Sequence, residues 1–246
     1  MVLDGKTAVV TGATGNAALA IARALLEDGA QVALVDVDAL RLDSLIRFLR
    51  GTTVAVPAES SEAGAVRQAR QQVEKLLGPI DILVNACDEP SSGRIEAVEP
   101  EDWRRSIARN LDSAFNWSRE VLPAMKKRGW GRIVNVVSLA AKGGLADAGA
   151  ADAASHGALL ALTFSLAREA APHGVTVNAI ATAFVENSPA MELLNESQRR
   201  QLLAQIPLGR FCKPEELGHA ARFLASPLAG FITGEVLDVN GGVVMD

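Results

Sequence analysis

Short, almost unbroken apolar runs alternate along this chain with longer stretches whose apolar positions recur at helical spacing. Thr7–Val10 is such a run and ends in Thr11-Gly12; Asn16–Asp28 has a helical period and stops at Gly29. Val32–Val35 reads as a second buried strand ending at Asp36, followed by a helix over Ala39–Arg50. Thr53–Val56 is a third strand, with a helix over Glu62–Leu77 broken by Gly78-Pro79. Ile80–Val84 is the fourth strand. Glu101–Arg128 reads as one long helix, with Pro100 before its start and Gly129 at its end. Arg132–Val137 is the fifth strand, Ala150–Gly174 a second long helix and Val175–Ile180 the sixth strand. A polar helical excursion over Pro189–Gln205, a helix over Pro214–Leu224 and a last strand over Glu235–Val239 complete the pattern. Strands that are apolar throughout, alternating with helices, predict a parallel sheet covered on both faces. The expected fold is α/β, a Rossmann-like, doubly wound, seven-stranded parallel sheet whose ligand crevice lies at the carboxyl ends of the strands.

Composition narrows the picture without redirecting it. At 246 residues, with no Pro/Gly/Ser-rich linker or charge block, residues 1–246 read as one domain. A net charge of −5 offers no basic stripe for nucleic acid, and no apolar run is long enough for a membrane span. The opening MVLDGKTAVVTG passes straight into a strand, without the basic and apolar regions of a signal peptide. Cys87 and Cys212 lack metal-ligand spacing and read as free thiols, so cytoplasmic residence is expected.

The first chemical signal is the turn after the first strand, Thr11-Gly12-Ala13-Thr14-Gly15-Asn16-Ala17-Ala18. A glycine-rich turn between strand and helix lets backbone amides approach a pyrophosphate, favoured by the helix N-terminus. Asp36, ending the second strand, stands where a carboxylate can bind a ribose 2′-hydroxyl. No Arg or Lys adjoins it to accept a 2′-phosphate, so any dinucleotide would be NAD in preference to NADP. Taken alone, the same glycines are also consistent with no more than a tight turn.

Longer matches follow in order along the chain: Gly5-Lys6-Thr7-Ala8-Val9-Val10-Thr11-Gly12, Asp81-Ile82-Leu83-Val84-Asn85 and Gly131-Arg132-Ile133-Val134-Asn135, then Ser165-Leu166-Ala167-Arg168-Glu169, Gly174-Val175-Thr176-Val177-Asn178, Ile232-Thr233-Gly234-Glu235 and Val239-Asn240-Gly241-Gly242. With these the chain resembles the short-chain dehydrogenase/reductase family, in type the 3-oxoacyl-carrier-protein reductases and 3-hydroxyacyl-CoA dehydrogenases. The resemblance implies an NAD(P)-dependent oxidoreductase scaffold with a TGxxxGxG cofactor loop. It also implies an Asn-Ser-Tyr-Lys catalytic set whose last two members form Tyr-x-x-x-Lys.

Against that pattern the chain departs at several points. Gly12 and Gly15 are kept, but Asn16 and Ala18 hold the other two glycine places. Gly12, Gly15 and Ala18 nearly fit the alternative TGxxGxxG spacing of extended members. The segment that shapes the cofactor site reads Asn85-Ala86-Cys87-Asp88 in place of NNAG. The Pro-Gly pair after the sixth strand, and the threonine that contacts the nicotinamide amide in relatives, fall at Thr182-Ala183 and Asn187. The catalytic Asn and Ser correspond to Asn110 and Ser138, but the Tyr and Lys places hold Asp152 and His156. The chain contains no tyrosine at all. An aspartate, with an ordinary pKa of about 3.9, has no proton to give a carbonyl near neutrality and is shorter than tyrosine by a ring. Histidine cannot reach as far as lysine.

Three readings of the pair stand open. Asp152 and His156, four residues apart on one helix face, form a surface ion pair of roughly 0.3–0.5 kcal/mol in a disused cleft. Alternatively, Ser138, His156 and Asp152 form a nucleophile–base–orienter triad of a hydrolase. Or His156 serves with Ser138 as the acid/base of an unorthodox NAD oxidoreductase. Under the first reading, Asn110, Ser138, Asp152 and His156 are vestigial catalytic positions, and Gly12, Gly15, Asn16, Asp36 and Asn85 are vestigial cofactor positions. This chain then binds no cofactor or metal itself. The family pairs its two long helices, and its C-terminal strand, with other subunits. The expectation is a hetero-oligomer, a tetramer, with an active paralogue that carries NAD and acts on a 3-hydroxyacyl-CoA. Trp103, Trp117 and Trp130 read as packing, and Met125-Lys126-Lys127-Arg128 as a solvated helix end suited to the helix dipole.

Overall fold

The computed structural model describes residues 1–87, 95–143, 149–192 and 194–245, with no account of the side chains of 189 and 190. Asp88 lies outside the described residues. All seven strands join one parallel sheet in the order β3-β2-β1-β4-β5-β6-β7. They are β1 (Thr7–Thr11), β2 (Gln31–Asp36), β3 (Thr53–Pro57), β4 (Ile82–Asn85), β5 (Gly131–Ser138), β6 (Val175–Thr182) and β7 (Val236–Val239). The order reverses between β1 and β4, which fixes the crevice at their carboxyl ends.

Alternating residues of the strands feed two cores, as a pleated sheet buried on both faces requires. Ala8 and Val10 of β1 pack beneath α1 (Asn16–Glu27) and α10 (Pro214–Ala225), with Ile21, Leu25, Leu217 and Leu224. Val9 faces the opposite core with Val66 and Val73 of α3 (Ala63–Leu77) and Trp117, Val121 and Met125 of α5 (Ser113–Arg128). α7 (Ala150–Ala170) lies on β5 and β6 and also meets α6 (Ala140–Gly143) and α4 (Pro100–Ile107).

Four sequence expectations change. The stretch 101–128 is not one α-helix: α4 and α5 are joined by a π-helical turn over Ala108–Asp112. Such a turn inserts an extra residue that a regular period does not reveal. α2 (Ala39–Ile46) stops short of Arg50, and α7 ends at Ala170, followed by a 3-10 turn over Ala171–His173. The 189–205 excursion resolves into α8 (Pro189–Glu192) and α9 (Glu196–Leu203), the latter opened by a capping box between Asn195 and Gln198. The tryptophans divide as well. Trp117 is fully buried and donates from Nε1 to Ser60 Oγ at 3.0 Å. Trp130 is flanked by Lys6 and Arg132 at 3.9 and 4.6 Å from its ring centre, and Trp103 remains partly exposed. Among the described residues no helix is long and apolar enough to cross a membrane.

Candidate functional site

The turn between β1 and α1 is held from below by Gly12, in the left-handed region at φ +61°, where a Cβ would lie 2.5 Å from the Ala86 carbonyl oxygen. Gly15 caps α1 without a side-chain hydrogen bond. Asp36 closes this turn on itself. Its Oδ2 accepts the Thr14 amide at 3.1 Å and the Thr14 hydroxyl at 2.8 Å. Its Oδ1 accepts the amides of Val37 at 2.8 Å and Asp38 at 3.4 Å. A carboxylate has about four acceptor sites, and here four protein donors fill them. Asn16 reaches the other way: its Nδ2 donates to the carbonyl oxygen of Asn187 in the segment after β6.

At the end of β4, Asn85 is buried and donates from Nδ2 to Asn135 Oδ1 of β5 at 2.8 Å. Asn135 passes the connection on, donating to Thr163 Oγ1 of α7 at 2.8 Å, and that hydroxyl donates to the Leu159 carbonyl at 2.8 Å. A ladder of side-chain amides thus pins α7 to the middle of the sheet. Asn85 therefore takes part in the core at the end of β4. Beside it, burial pushes the Cys87 thiol above its ordinary value, an environment in which the neutral, weakly nucleophilic form prevails.

Three of the positions that correspond to the family's catalytic set, Asn110, Asp152 and His156, lie in the π-turn and the first half of α7. Asn110 sits inside the π-turn, 1% exposed, and donates to Ser155 Oγ at 3.0 Å and Ser106 Oγ at 3.3 Å. Ser155 in turn donates to the Asp152 carbonyl at 3.1 Å. His156 Nε2 stands 3.5 Å from Asp152 Oδ1. This pair is not a surface pair as its spacing alone suggested: Asp152 is 5% and His156 1% exposed. The contacts of α7 with the sheet, α4, α6 and the π-turn cover that face of the helix. Ser138 ends β5, and its hydroxyl accepts the Ala140 amide at 3.3 Å.

Two side chains of the crevice are engaged within the chain. The Asp36 carboxylate has its acceptor sites filled from within the chain, and the Asn16 side chain bonds across the crevice. No phenolic or ammonium side chain can occupy positions 152 and 156.

The comparisons with known proteins agree with the sheet order and the turn. The family model described as enoyl-(acyl carrier protein) reductase matches residues 12–244. The chain belongs to the short-chain dehydrogenase/reductase family. It is 37% identical over 246 residues to the 3-oxoacyl-[acyl-carrier-protein] reductase FabG of Vibrio cholerae, covering all of both chains. It is 35% identical over 249 residues to the FabG of Thermotoga maritima, again covering all of both. It is also 35% identical to nodulation protein G of Azospirillum brasilense, over 98% of this chain and 99% of that protein.

Within this short-chain dehydrogenase/reductase scaffold the structure adds partners that sequence reading missed. Ser106 and Ser155 complete the cluster around Asn110; their signal was helical spacing, one four residues before Asn110 and the other three after Asp152. Thr14, in sequence one residue of a glycine-rich turn, supplies two of the four donors to Asp36. Lys142 of α6 lies 2.6 Å from Asp238 of β7, an ion pair that crosses 96 positions of sequence and so left no local trace.

Proposed function

We propose that this chain is a non-catalytic short-chain dehydrogenase/reductase subunit. It assembles with an active paralogue into a tetrameric, NAD-dependent 3-hydroxyacyl-CoA dehydrogenase and braces the partner's site. The observation that carries this reading is the buried Asp152–His156 pair in the place of Tyr and Lys. A proton donor for a substrate carbonyl must be reachable and protonated near neutrality. Asp152 is buried and shorter than tyrosine by a ring, so a substrate carbonyl does not reach it. The self-satisfied Asp36 and the Asn16–Asn187 bond support the absence of a cofactor in this chain, and NAD is assigned to the partner.

The outward surfaces support assembly. Phe115 on α5 is 47% exposed and Phe164 on α7 is 48% exposed, so each long helix presents an aromatic ring to solvent in the isolated chain. Rings of this kind are common anchors of protein interfaces. The pattern of losses resembles the inactive subunit of the benzylsuccinate-pathway 2-(α-hydroxybenzyl)succinyl-CoA dehydrogenase, and that acyl-CoA type is the proposed substrate class of the complex.

Co-expression with an active paralogue of the same family tests the reading. The expected outcome is a mixed tetramer by native mass spectrometry, whose turnover is unchanged by Ser138→Ala in this chain and abolished by replacing the partner's tyrosine. Turnover of a 3-oxoacyl or 3-hydroxyacyl substrate by this chain alone would overturn it.

A further inference from the structure

In the sheet, β1 and β6 are separated by β4 and β5, three strand spacings in all. At ordinary spacing their carboxyl ends lie about 14 Å apart. Asn16, at the start of α1, nevertheless donates its side-chain amide to the Asn187 carbonyl. The segment after β6 therefore turns back over the ends of β4 and β5 and roofs the crevice. Two residues of this segment, Phe184 and Asn187, hold φ of +56°. The left-handed region is unfavourable for a bulky residue such as phenylalanine, and it persists where surrounding contacts fix it. Those contacts are present: Phe184 accepts the Cys212 amide at 3.1 Å, and Glu186 donates to the Cys212 carbonyl at 2.8 Å. The other end is equally fixed, because Asp36 holds Thr14 two residues before Asn16.

We infer that Asn16 is a latch residue: it holds the segment 183–188 across the crevice, doing from within the chain what a bound ligand spanning the same strand ends would do. The inference deepens the non-catalytic reading and rests on it in one respect, that the crevice works without a dinucleotide. The segment and the following helices are then kept in one position at all times, and the surface they form is constant whether or not nucleotide is present. Only a side chain with an N–H donor of this length makes the bond; glycine at 16 has none, and aspartate offers an acceptor to an acceptor.

Hydrogen–deuterium exchange of the full chain, without nucleotide, tests the latch. Asn16→Asp keeps the shape and removes the donor; Asn16→Gly removes the side chain. Both are expected to speed exchange of amides in 183–188 about fivefold, the worth of one hydrogen bond, with β1 and β4 unchanged. Equal exchange in wild type and both variants would overturn the latch. Acceleration in Asn16→Gly alone would also overturn it, because backbone freedom would then be the cause. A parallel NADH titration of the wild-type chain separates the two claims. Binding there would defeat the non-catalytic reading while leaving the exchange result to decide the latch.

Discussion

At the scale of single residues, the informative change is the exchange of Tyr and Lys positions for Asp152 and His156. The pair is enclosed, so a change at either residue is a change in the core. His156→Ala empties a buried site and is expected to lower unfolding free energy by roughly 2–3 kcal/mol, read from the urea midpoint. Replacing both residues together by leucine refills the volume with apolar atoms and is expected to cost less. A loss below about 1 kcal/mol in His156→Ala would show that the site collapses around the missing ring. The type and position of Asp36 match a ribose ligand, and the donors it takes from Thr14, Val37 and Asp38 also make it a fastener of the turn.

At the scale of elements, the start of α10 offers a pH-dependent test. Glu216 accepts both terminal nitrogens of Arg210 at 2.7 Å and the Lys213 amide at 2.9 Å. The Arg210 hydrogen bonds, with the Lys213 amide, hold its carboxyl down at about 2 instead of 4.5. A depressed acid stabilises the folded state above its unfolded value, so this contribution is complete above pH 4.5 and fades as pH falls toward 2. Arg210→Ala should move the Glu216 carboxyl resonance midpoint up toward 4.5 in an NMR titration. A midpoint that stays near 2 would assign the shift to the helix start alone.

The same scale explains how much was legible beforehand. β1, β2 and β4 were plain because their apolar runs have no polar face to lose. α7 was plain as a helix, but not in orientation. Its alanines and leucines surround it, and periodicity alone could not say that 152, 156, 159, 163 and 167 face inward while 161, 164 and 168 face out. The π-turn was hidden because Ile107–Ser113 has unremarkable helix-forming residues. Its geometry is tied to Asn110 reaching Ser155 on another helix. The Asn85–Asn135–Thr163 ladder was equally out of reach. Each asparagine was visible, but the register that pairs residue 85 with 135 exists only in the sheet.

At the scale of the whole molecule, an oxidoreductase scaffold has kept its sheet, its two cores and its outward helices. Asp36 is filled from within, Asn16 bonds across to Asn187, and the Tyr and Lys places hold a buried pair. Such a chain is expected to act through its surface, with chemistry in a partner. Calorimetric titration of NADH into the purified full chain is the most direct test. No heat of binding is expected for the chain alone, and binding in a complex with the active paralogue should saturate at the number of paralogue subunits. Saturable NADH binding by the chain alone, at one site per chain, would contradict that expectation.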